Sequence, residues 1–409
     1  MPLATAGAVS VPAIPPIISV DDHVIEPPDL WRRWLPARLQ DRGPKVVEAP
    51  FELTGNQPPY VRRAESGETT DFWQYESKSV AITGGTVAVG RPPETVTHSP
   101  WRYADMRPGA FRLKDRLADM DQNHVERSLC FPSFPRFCGQ VFLEAKDREL
   151  ALACVRAYND WMVEEWCGDS GGRMIPLCLI PLWDAGLAAA EVRRNAARGV
   201  RAVAFTELPD HLGLPTLHNR DRYWDPFIEA CDVTGTVICM HIGSSSKLMT
   251  TSADAPMGVR YALTTVNSQM SLTDWLLSGV LARFDNVKLA YSESQIGWMP
   301  YLLERLDRLW ADGHATYEMN PAITSLPSTY FKGRVYGCFF EDDFGLRNLD
   351  AIGIDQITFE SDYPHQDSTW PNTRQYAESA MADLSPDQIH KIVRGNAIAL
   401  FGLPETIAS

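Results

Sequence analysis

The 409-residue sequence lacks any run of basic residues, and its formal net charge at pH 7 is −14. A protein that binds nucleic acid or an anionic membrane needs clustered positive charge to neutralise phosphates, so neither partner is expected. No glycine-rich loop of the dinucleotide-binding or P-loop type accompanies the predicted strands, which disfavours nicotinamide and nucleotide cofactors. These absences leave small molecules as the expected partners.

The sequence also lacks a Cys-x-x-Cys motif, and we do not expect its N-terminal stretch to be a leader segment. The eight cysteines are spread through apolar segments without a Cys-x-x-Cys pair, so we expect reduced core residues and a cytoplasmic protein. The N-terminal stretch MPLATAGAVSVPAIPP has no basic start and is interrupted by prolines. It therefore resembles neither a signal peptide nor a membrane span.

Eight short apolar runs rich in strand-forming residues recur along the chain, and most are separated by stretches with helical periodicity. They cover residues 13–23, 125–133, 173–182, 200–207, 236–243, 287–294, 334–341 and 355–362. Strands that alternate with helices predict a parallel sheet. Eight such units predict an α/β fold of the (β/α)8 TIM-barrel type, with residues 1–409 as a single domain.

One connection is anomalous, because about a hundred residues separate His23 from the second run at Val125. This segment is rich in proline, glycine, tryptophan and tyrosine, and loops of that length usually have a function. We interpret residues 27–112 as an inserted lid over the C-terminal mouth of the barrel, which would exclude water through aromatic side chains including Trp31, Phe72, Trp73 and Trp101. A surface β-ribbon or a dimer contact is the alternative.

Good metal ligands fall at the ends of three predicted strands. Asp21 and His23 end the first run, His241 ends the fifth, and Asp362 ends the eighth. Strand side chains alternate between faces, so Asp21 and His23 share one face while Asp22 points away. In a (β/α)8 barrel the strand ends meet at one mouth, so these four residues predict a site for one divalent cation such as Zn²⁺.

Several motifs resemble the amidohydrolase-related family, in the branch that contains aminocarboxymuconate-semialdehyde decarboxylase and the hydroxybenzoate decarboxylases. They are DDHVIEP in the first run, HIG in the fifth, ESQIGWMPYLLERLDRLW after the sixth and ESDYPHQD at the eighth. The resemblance implies a metal-dependent barrel in which Asp21, His23, His241 and Asp362 hold the metal. Many members carry His-x-His or Glu-x-His at the first strand, and the aspartate found here favours Mn²⁺ or Fe²⁺ over Zn²⁺.

The sixth strand departs from the resembled decarboxylases, which place a histidine there. This chain has Glu293 in YSESQIG. Our hypothesis is that Glu293 acts as the general base or as a ligand, and that Glu293 or Asp362 manages the catalytic proton. The alternative is a structural carboxylate that pairs with an arginine of the barrel.

Three residues near the predicted ligands are candidates for substrate binding. Glu26 and Trp31 follow the first-strand pair and could form a pocket wall, although EPPDLW could also be a rigid turn. His365 lies three residues beyond Asp362 and could contact substrate, orient Asp362 or cap a loop.

Four further residues keep more than one interpretation. Glu207 ends the fourth run, where some relatives with two metals place a bridging ligand, but a structural role beside a turn is the other interpretation. Arg33, Arg102 and Arg136 could each bind a substrate carboxylate, and the sequence does not choose among them.

The sequence therefore predicts a metal-dependent hydrolase that acts on a cyclic or aromatic amide, lactone or C–C bond through a metal-activated water. Non-oxidative decarboxylation of an aromatic or unsaturated acid is the alternative, and a non-catalytic ligand-binding barrel is the second alternative. The aromatic insertion suggests a flat or cyclic substrate. Tryptophan-rich helices and the insertion make a homodimer plausible.

Overall fold

A computed structural model describes residues 13–54, 60–97, 99–313 and 316–407. The N-terminal stretch considered above as a leader lies largely outside these residues. The strands in chain order are β1 (Ile17–Val24), β2 (Lys45–Leu53), β3 (Val61–Arg63), β4 (Thr69–Tyr75), β5 (Lys78–Ala81), β6 (Val125–Pro132), β7 (Met174–Ile175), β8 (Leu177–Cys178), β9 (Ala202–Phe205), β10 (Val237–His241), β11 (Leu289–Ser292), β12 (Val335–Phe339) and β13 (Ile357–Phe359).

The parallel strands form the predicted barrel. Their hydrogen-bonded order is β7-β6-β1-β13-β12-β11-β10-β9-β8, and every pair within it is parallel. The order begins and ends with the two halves of one predicted run, residues 174–178, as an eight-stranded barrel requires. Pro176 separates the halves, because a proline has no N–H to donate to the ladder. All eight predicted runs are thus confirmed as strands.

Helices follow the barrel strands and cover them. In chain order they are α1 (Leu30–Trp34), α2 (Leu113–Gln122), α3 (Gln140–Leu143), α4 (Arg148–Trp161), α5 (Ala185–Ala196), α6 (Asp225–Thr234), α7 (Met257–Ala262), α8 (Val266–Leu277), α9 (Val280–Arg283), α10 (Met299–Gly313), α11 (Pro327–Phe331), α12 (Asp343–Leu346), α13 (Leu349–Ile352), α14 (Thr373–Ala380), α15 (Pro386–His390) and α16 (Asn396–Phe401). Ser385 caps α15 through the backbone N–H of Gln388. Among the described residues, no helix is long and apolar enough to cross a membrane.

The segment between β1 and α2 contains a small antiparallel sheet with strand order β3-β2-β4-β5. It has its own buried apolar residues, Ala49, Val61 and Phe72. One face of this sheet contributes to the barrel mouth, since the directly paired residues Trp73 of β4 and Val80 of β5 line a cavity together with His23. The eight cysteines are buried and unpaired, as predicted.

Candidate metal centre and cavity

The four predicted ligands lie together at the C-terminal ends of the barrel strands. Nε2 of His23 is 3.1 Å from Nε2 of His241 and 3.3 Å from Oδ1 of Asp362. Nε2 of His241 is 3.4 Å from Oδ2 of Asp21. All four side chains are at most 1% exposed. We call this group the metal centre.

The backbone explains this convergence. Asp21 and His23 are two residues apart on β1 and therefore share a face, while His241 is the last residue of β10. Asp362 follows β13, and its N–H donates to the carbonyl of Asp21 over 3.0 Å. It has a φ of 53°, a left-handed conformation that turns its carboxylate towards β1. Three parallel strands of the barrel, β1, β10 and β13, thus bring side chains from their C-terminal ends to one point.

The donor set fits a divalent cation. Both oxygens of Asp21 and Oδ1 of Asp362 are buried without a hydrogen-bond donor, an arrangement that is costly unless a cation compensates it. Burial and the neighbouring carboxylates raise the pKa of Asp21 well above its usual value. Burial lowers the pKa of His241 to about 3, so its ring is neutral. Its Nδ1 lies 2.6 Å from the carbonyl of Ile242, which leaves Nε2 free to coordinate.

Glu293 borders the metal centre. Its Oε2 lies 3.3 Å from Nε2 of His241, and it pairs with no arginine or lysine among the described residues. The predicted alternative, pairing with a barrel arginine, is therefore wrong for the part of the chain that the structure describes. Burial, followed by the charges of Asp362, Asp367 and Glu360, raises the pKa of Glu293 well above its usual value.

Glu360 was not predicted as a site residue. Its Oε2 accepts the backbone N–H of Glu293 over 3.1 Å and a hydrogen bond from the thiol of Cys338. It also lies within 4.8 Å of Asp21. The backbone of Glu293 has a φ of 57°, and the hydrogen bond to Glu360 helps to hold that conformation. Glu360 therefore positions Glu293 beneath the metal centre.

A cavity of about 220 Å³ opens beside the metal centre. His23 and His365 contribute its polar end, and the rings of the two histidines stack with centroids 3.8 Å apart. Nδ1 of His365 lies 3.1 Å from Oδ2 of Asp362, within hydrogen-bond distance. Burial acts to lower the pKa of His365, but Asp362 and Asp367 outweigh it and raise that pKa. The remaining wall is mostly apolar and includes Ile25, Trp73, Ile82, Phe134 and Phe137.

The loop of residues 133–137, which we call the cavity loop, forms one side of this wall. Phe137 stacks on His241 with centroids 4.3 Å apart and planes 16° apart. Phe134 stacks on Trp73 at 4.8 Å. The carboxylate of Glu26 accepts the backbone N–H groups of Ser133 and Phe134 over 3.0 and 2.8 Å. Glu26 thus anchors the cavity loop and does not line the cavity, which corrects its predicted contact with substrate.

The predicted contact of Trp31 with substrate also needs correction. Trp31 is fully buried, donates from Nε1 to the carbonyl of Cys154 over 3.2 Å, and packs behind Trp73 with centroids 5.2 Å apart. Phe72 belongs to the core of the small sheet, and Trp101 lines other surface grooves. Of the four aromatic residues expected to cover the metal, Trp73 alone lines the cavity.

The structure separates the remaining candidates. Glu207 accepts a hydrogen bond from Ser268 over 2.7 Å, and burial raises its pKa to about 8. It joins no group of metal ligands among the described residues. Arg33 pairs with Glu165 and Arg102 pairs with Glu48, both away from the cavity. Arg136 lies in the cavity loop and lines the cavity.

A parallel (β/α)8 barrel with histidine and aspartate side chains gathered at its mouth defines a class of metal-dependent enzymes. The sequence profile of the amidohydrolase family matches residues 71–403, and the chain belongs to that family. It is a metal-dependent enzyme of the hydrolase or decarboxylase type, as predicted. No curated protein gives a significant match to the sequence.

Solved structures show the same fold. An amidohydrolase from Mycobacterium avium subsp. paratuberculosis K-10 is 22% identical over 95% of this chain and 99% of its own, with a TM-score of 0.69. A variant of 5-carboxyvanillate decarboxylase from Novosphingobium aromaticivorans, with bound manganese and 3-methoxy-4-hydroxy-5-nitrobenzoic acid, is 16% identical over 98% and 100% of the two chains, with a TM-score of 0.64. A 2,6-dihydroxybenzoate decarboxylase from Rhizobium is 17% identical over 72% and 89%, with a TM-score of 0.56.

Proposed function

We propose that this enzyme is a metal-dependent, non-oxidative decarboxylase of a small aromatic acid. The observation that carries the proposal is the cavity: a narrow, aromatic-walled chamber has the metal-centre residue His23 and the Asp362-bound His365 at one end. An apolar wall suits a planar ring. The two solved decarboxylases named above act on aromatic acids of this kind.

The chain would hold the cation through Asp21, His23, His241 and Asp362. A bound cation would compensate the buried carboxylate oxygens of Asp21 and Asp362 that have no hydrogen-bond donor. When bound, the cation would polarise oxygen atoms of the substrate. Two carboxylates beside two imidazoles suit Mn²⁺ as well as Zn²⁺, and we propose Mn²⁺ because the solved 5-carboxyvanillate decarboxylase variant contains it. This choice replaces the expectation of zinc.

His365 is the proposed proton donor. It faces the cavity and is held by Asp362, which favours its protonated form. The bond between the ring carbon and the carboxylate breaks after His365 transfers its proton to that carbon, and the bonding electron pair restores the aromatic ring as carbon dioxide leaves. His365 thus supplies the imidazole that the sixth strand lacks.

Protons can return to this site through neighbouring carboxyls. Ligand atoms of Glu293, Asp362, His365 and Asp367 lie within 4.8 Å of one another, and Asp367 is exposed to solvent. We assign Glu293 to this relay, since it does not line the cavity. Trp73 and residues 80–83 of the insertion line the cavity and would cover a ring bound in it, so we propose that the insertion acts as the lid.

Hydrolysis is the second candidate, and the position of Glu293 favours it. A carboxylate 3.3 Å from Nε2 of His241 is placed to take a proton from a water molecule at the metal centre. In that case Glu293 would be the general base, and His365 would bind the substrate.

The test follows carbon dioxide and acid release separately. The manganese-loaded protein is incubated with salicylate, 2,6-dihydroxybenzoate and 5-carboxysalicylate, and in parallel with aryl lactones and cyclic amides. We expect carbon dioxide from at least one acid, and a loss of roughly two orders of magnitude or more in His365→Asn, with no loss in the exposed control His390→Asn. Acid release from a lactone or amide, without carbon dioxide from any acid, would establish hydrolysis instead.

A further inference from the structure

Arg136 is the one lysine or arginine among the described residues that line the cavity. It lies between Phe134 and Phe137 in the cavity loop, and its φ of 61° is a left-handed conformation. An arginine pays a conformational cost in that region. The hydrogen bonds from Ser133 and Phe134 to Glu26 anchor the start of this loop, which carries Arg136 at the cavity wall.

The positive charge of Arg136 is only partly neutralised by its neighbours. Its Nη1 donates to Oε1 of Glu144 over 3.2 Å, while Oε2 of Glu144 accepts from Lys78 over 2.5 Å. Two cations therefore share one carboxylate. A guanidinium has five N–H donors, and among the described residues the guanidinium of Arg136 makes no hydrogen bond besides the one to Glu144. The unused donors can bind an anion in the cavity.

His23 and Arg136 both line the cavity but differ in exposure. His23 is 1% exposed, whereas the Arg136 side chain is 37% exposed, so we place His23 at the inner end of the cavity and Arg136 at its rim. Between the two ends lies apolar wall, including Ile25 and Phe134. A matching ligand has one acidic end for the metal centre, a ring for the apolar wall, and a second anionic group for the rim.

We infer that Arg136 selects substrates with a second anionic substituent, so that the substrate class is a single-ring aromatic acid with two acidic groups on well-separated ring positions. This inference rests on the proposed function for the end that reacts. A charge-assisted bidentate hydrogen bond to a guanidinium gives both affinity and orientation. The substituent at the rim would therefore also fix which carboxylate faces the metal centre.

Three matched probes test this assignment by calorimetric titration of the manganese-loaded protein. 5-Carboxysalicylate carries the second charge, 5-carbamoylsalicylate has nearly the same shape without it, and salicylate lacks the substituent. We expect the wild-type protein to bind 5-carboxysalicylate roughly tenfold or more tightly than the other two. Arg136→Gln should remove this preference, and Arg136→Lys should keep part of it because the charge remains but the planar fork is lost.

Arg102→Gln is the matched control, because Arg102 pairs with Glu48 and does not line the cavity. It should keep the full preference. Equal binding of the charged and uncharged probes by the wild type, no binding of 5-carboxysalicylate, or an unchanged preference in Arg136→Gln would overturn the inference. Circular dichroism of each variant identifies a loss of folding, and in that case Arg136→Lys decides.

The inference and the proposed function fail separately. An Arg136-dependent preference in binding, without carbon dioxide from any acid, would contradict the proposed decarboxylase activity but support the anion site at Arg136. The opposite result is that the wild type and Arg136→Gln both release carbon dioxide from salicylate and from 5-carboxysalicylate at the same kcat/KM. That result would contradict the anion site but support the decarboxylase activity.

Discussion

Asp21 and Asp22 are adjacent on β1 and equally buried, yet their surroundings differ completely. The carboxylate of Asp22 is fully satisfied. Its donors are the hydroxyls of Ser19, Ser128 and Ser361 and the backbone N–H of Tyr363. The carboxylate of Asp21 receives no donor. Burial alone therefore does not mark a functional acid, but the absence of donors does. Asp22 joins β1 to β6 and to the segment after β13, whereas Asp21 faces His23 and His241.

The largest effect in this comparison is expected from the removal of a residue that would bind the metal together with Asp21. We expect His241→Ala to lose nearly all bound metal and to reduce activity to background, because the cation stabilises charge during the reaction. The barrel should remain folded, since the remaining strand ladder does not depend on this side chain. Elemental analysis, rate and circular dichroism check this, with His390→Ala as the control. Full metal content in His241→Ala would contradict the assigned site.

Replacement of Glu293 tests whether this residue belongs to the functional site together with Asp21. If Glu293 carries a proton, Glu293→Gln should lower the rate by roughly two to four orders of magnitude while metal content stays near normal. A parallel loss of metal and rate would make it a ligand. Reduced thermal stability with normal turnover per folded molecule would make it structural, and normal rate, metal and stability would exclude all three roles.

Matched amide substitutions sharpen the comparison in the metal-free protein. Asp22→Asn should lower the free energy of unfolding by roughly 1–3 kcal/mol, because an NH₂ group then faces hydroxyl and amide donors. Asp21→Asn should raise it or leave it unchanged, since it removes repulsion from Glu360, Asp362 and Glu293. Urea unfolding in the presence of a chelator measures both. If both variants lost the same free energy of unfolding, the proposed difference between the two aspartates would be wrong.

The anchor of the cavity loop predicts a smaller, pH-dependent effect. Burial raises the pKa of Glu26 from 4.5 to about 7, so the folded state retains a proton that the unfolded state releases between these values. The corresponding stability is present below pH 4.5 and is lost as pH rises towards 7, by at most about 1.4 kcal/mol per pH unit. Glu26→Gln should lack this component. Parallel pH profiles of unfolding free energy for the two proteins would refute it.

The sequence was sufficient for the parts of this fold that depend on local periodicity. Apolar runs alternating with helices predicted all eight barrel strands, even where Pro176 divides one of them. The convergence of Asp21, His23, His241 and Asp362 followed from alternation on a strand and from the common mouth of a barrel. Glu360 could also have been found, because it directly follows the last residue of β13 and so lies at the same barrel mouth as Asp362.

Contacts between distant loops could not be predicted. Glu26 and Trp31 follow the first-strand ligands closely, but closeness in sequence does not determine which side chain faces a cavity. The stacking of Phe137 on His241 joins segments about a hundred residues apart, with no sequence signal. For the same reason, only the structure distinguishes Arg136 from Arg33 and Arg102.

The hydrogen bond from Asp362 to Asp21 joins the beginning of the barrel to its end. A ribosome releases Asp21 and His23 early and Asp362 only after more than three hundred further residues, so a nascent chain has an incomplete metal centre during nearly all of its synthesis. The cation can be held by all four ligands only in a chain whose first and last barrel strands have paired. If these four residues hold the cation as proposed, metal uptake would report completed barrel assembly, and chains shortened before β13 would lack the ligand Asp362.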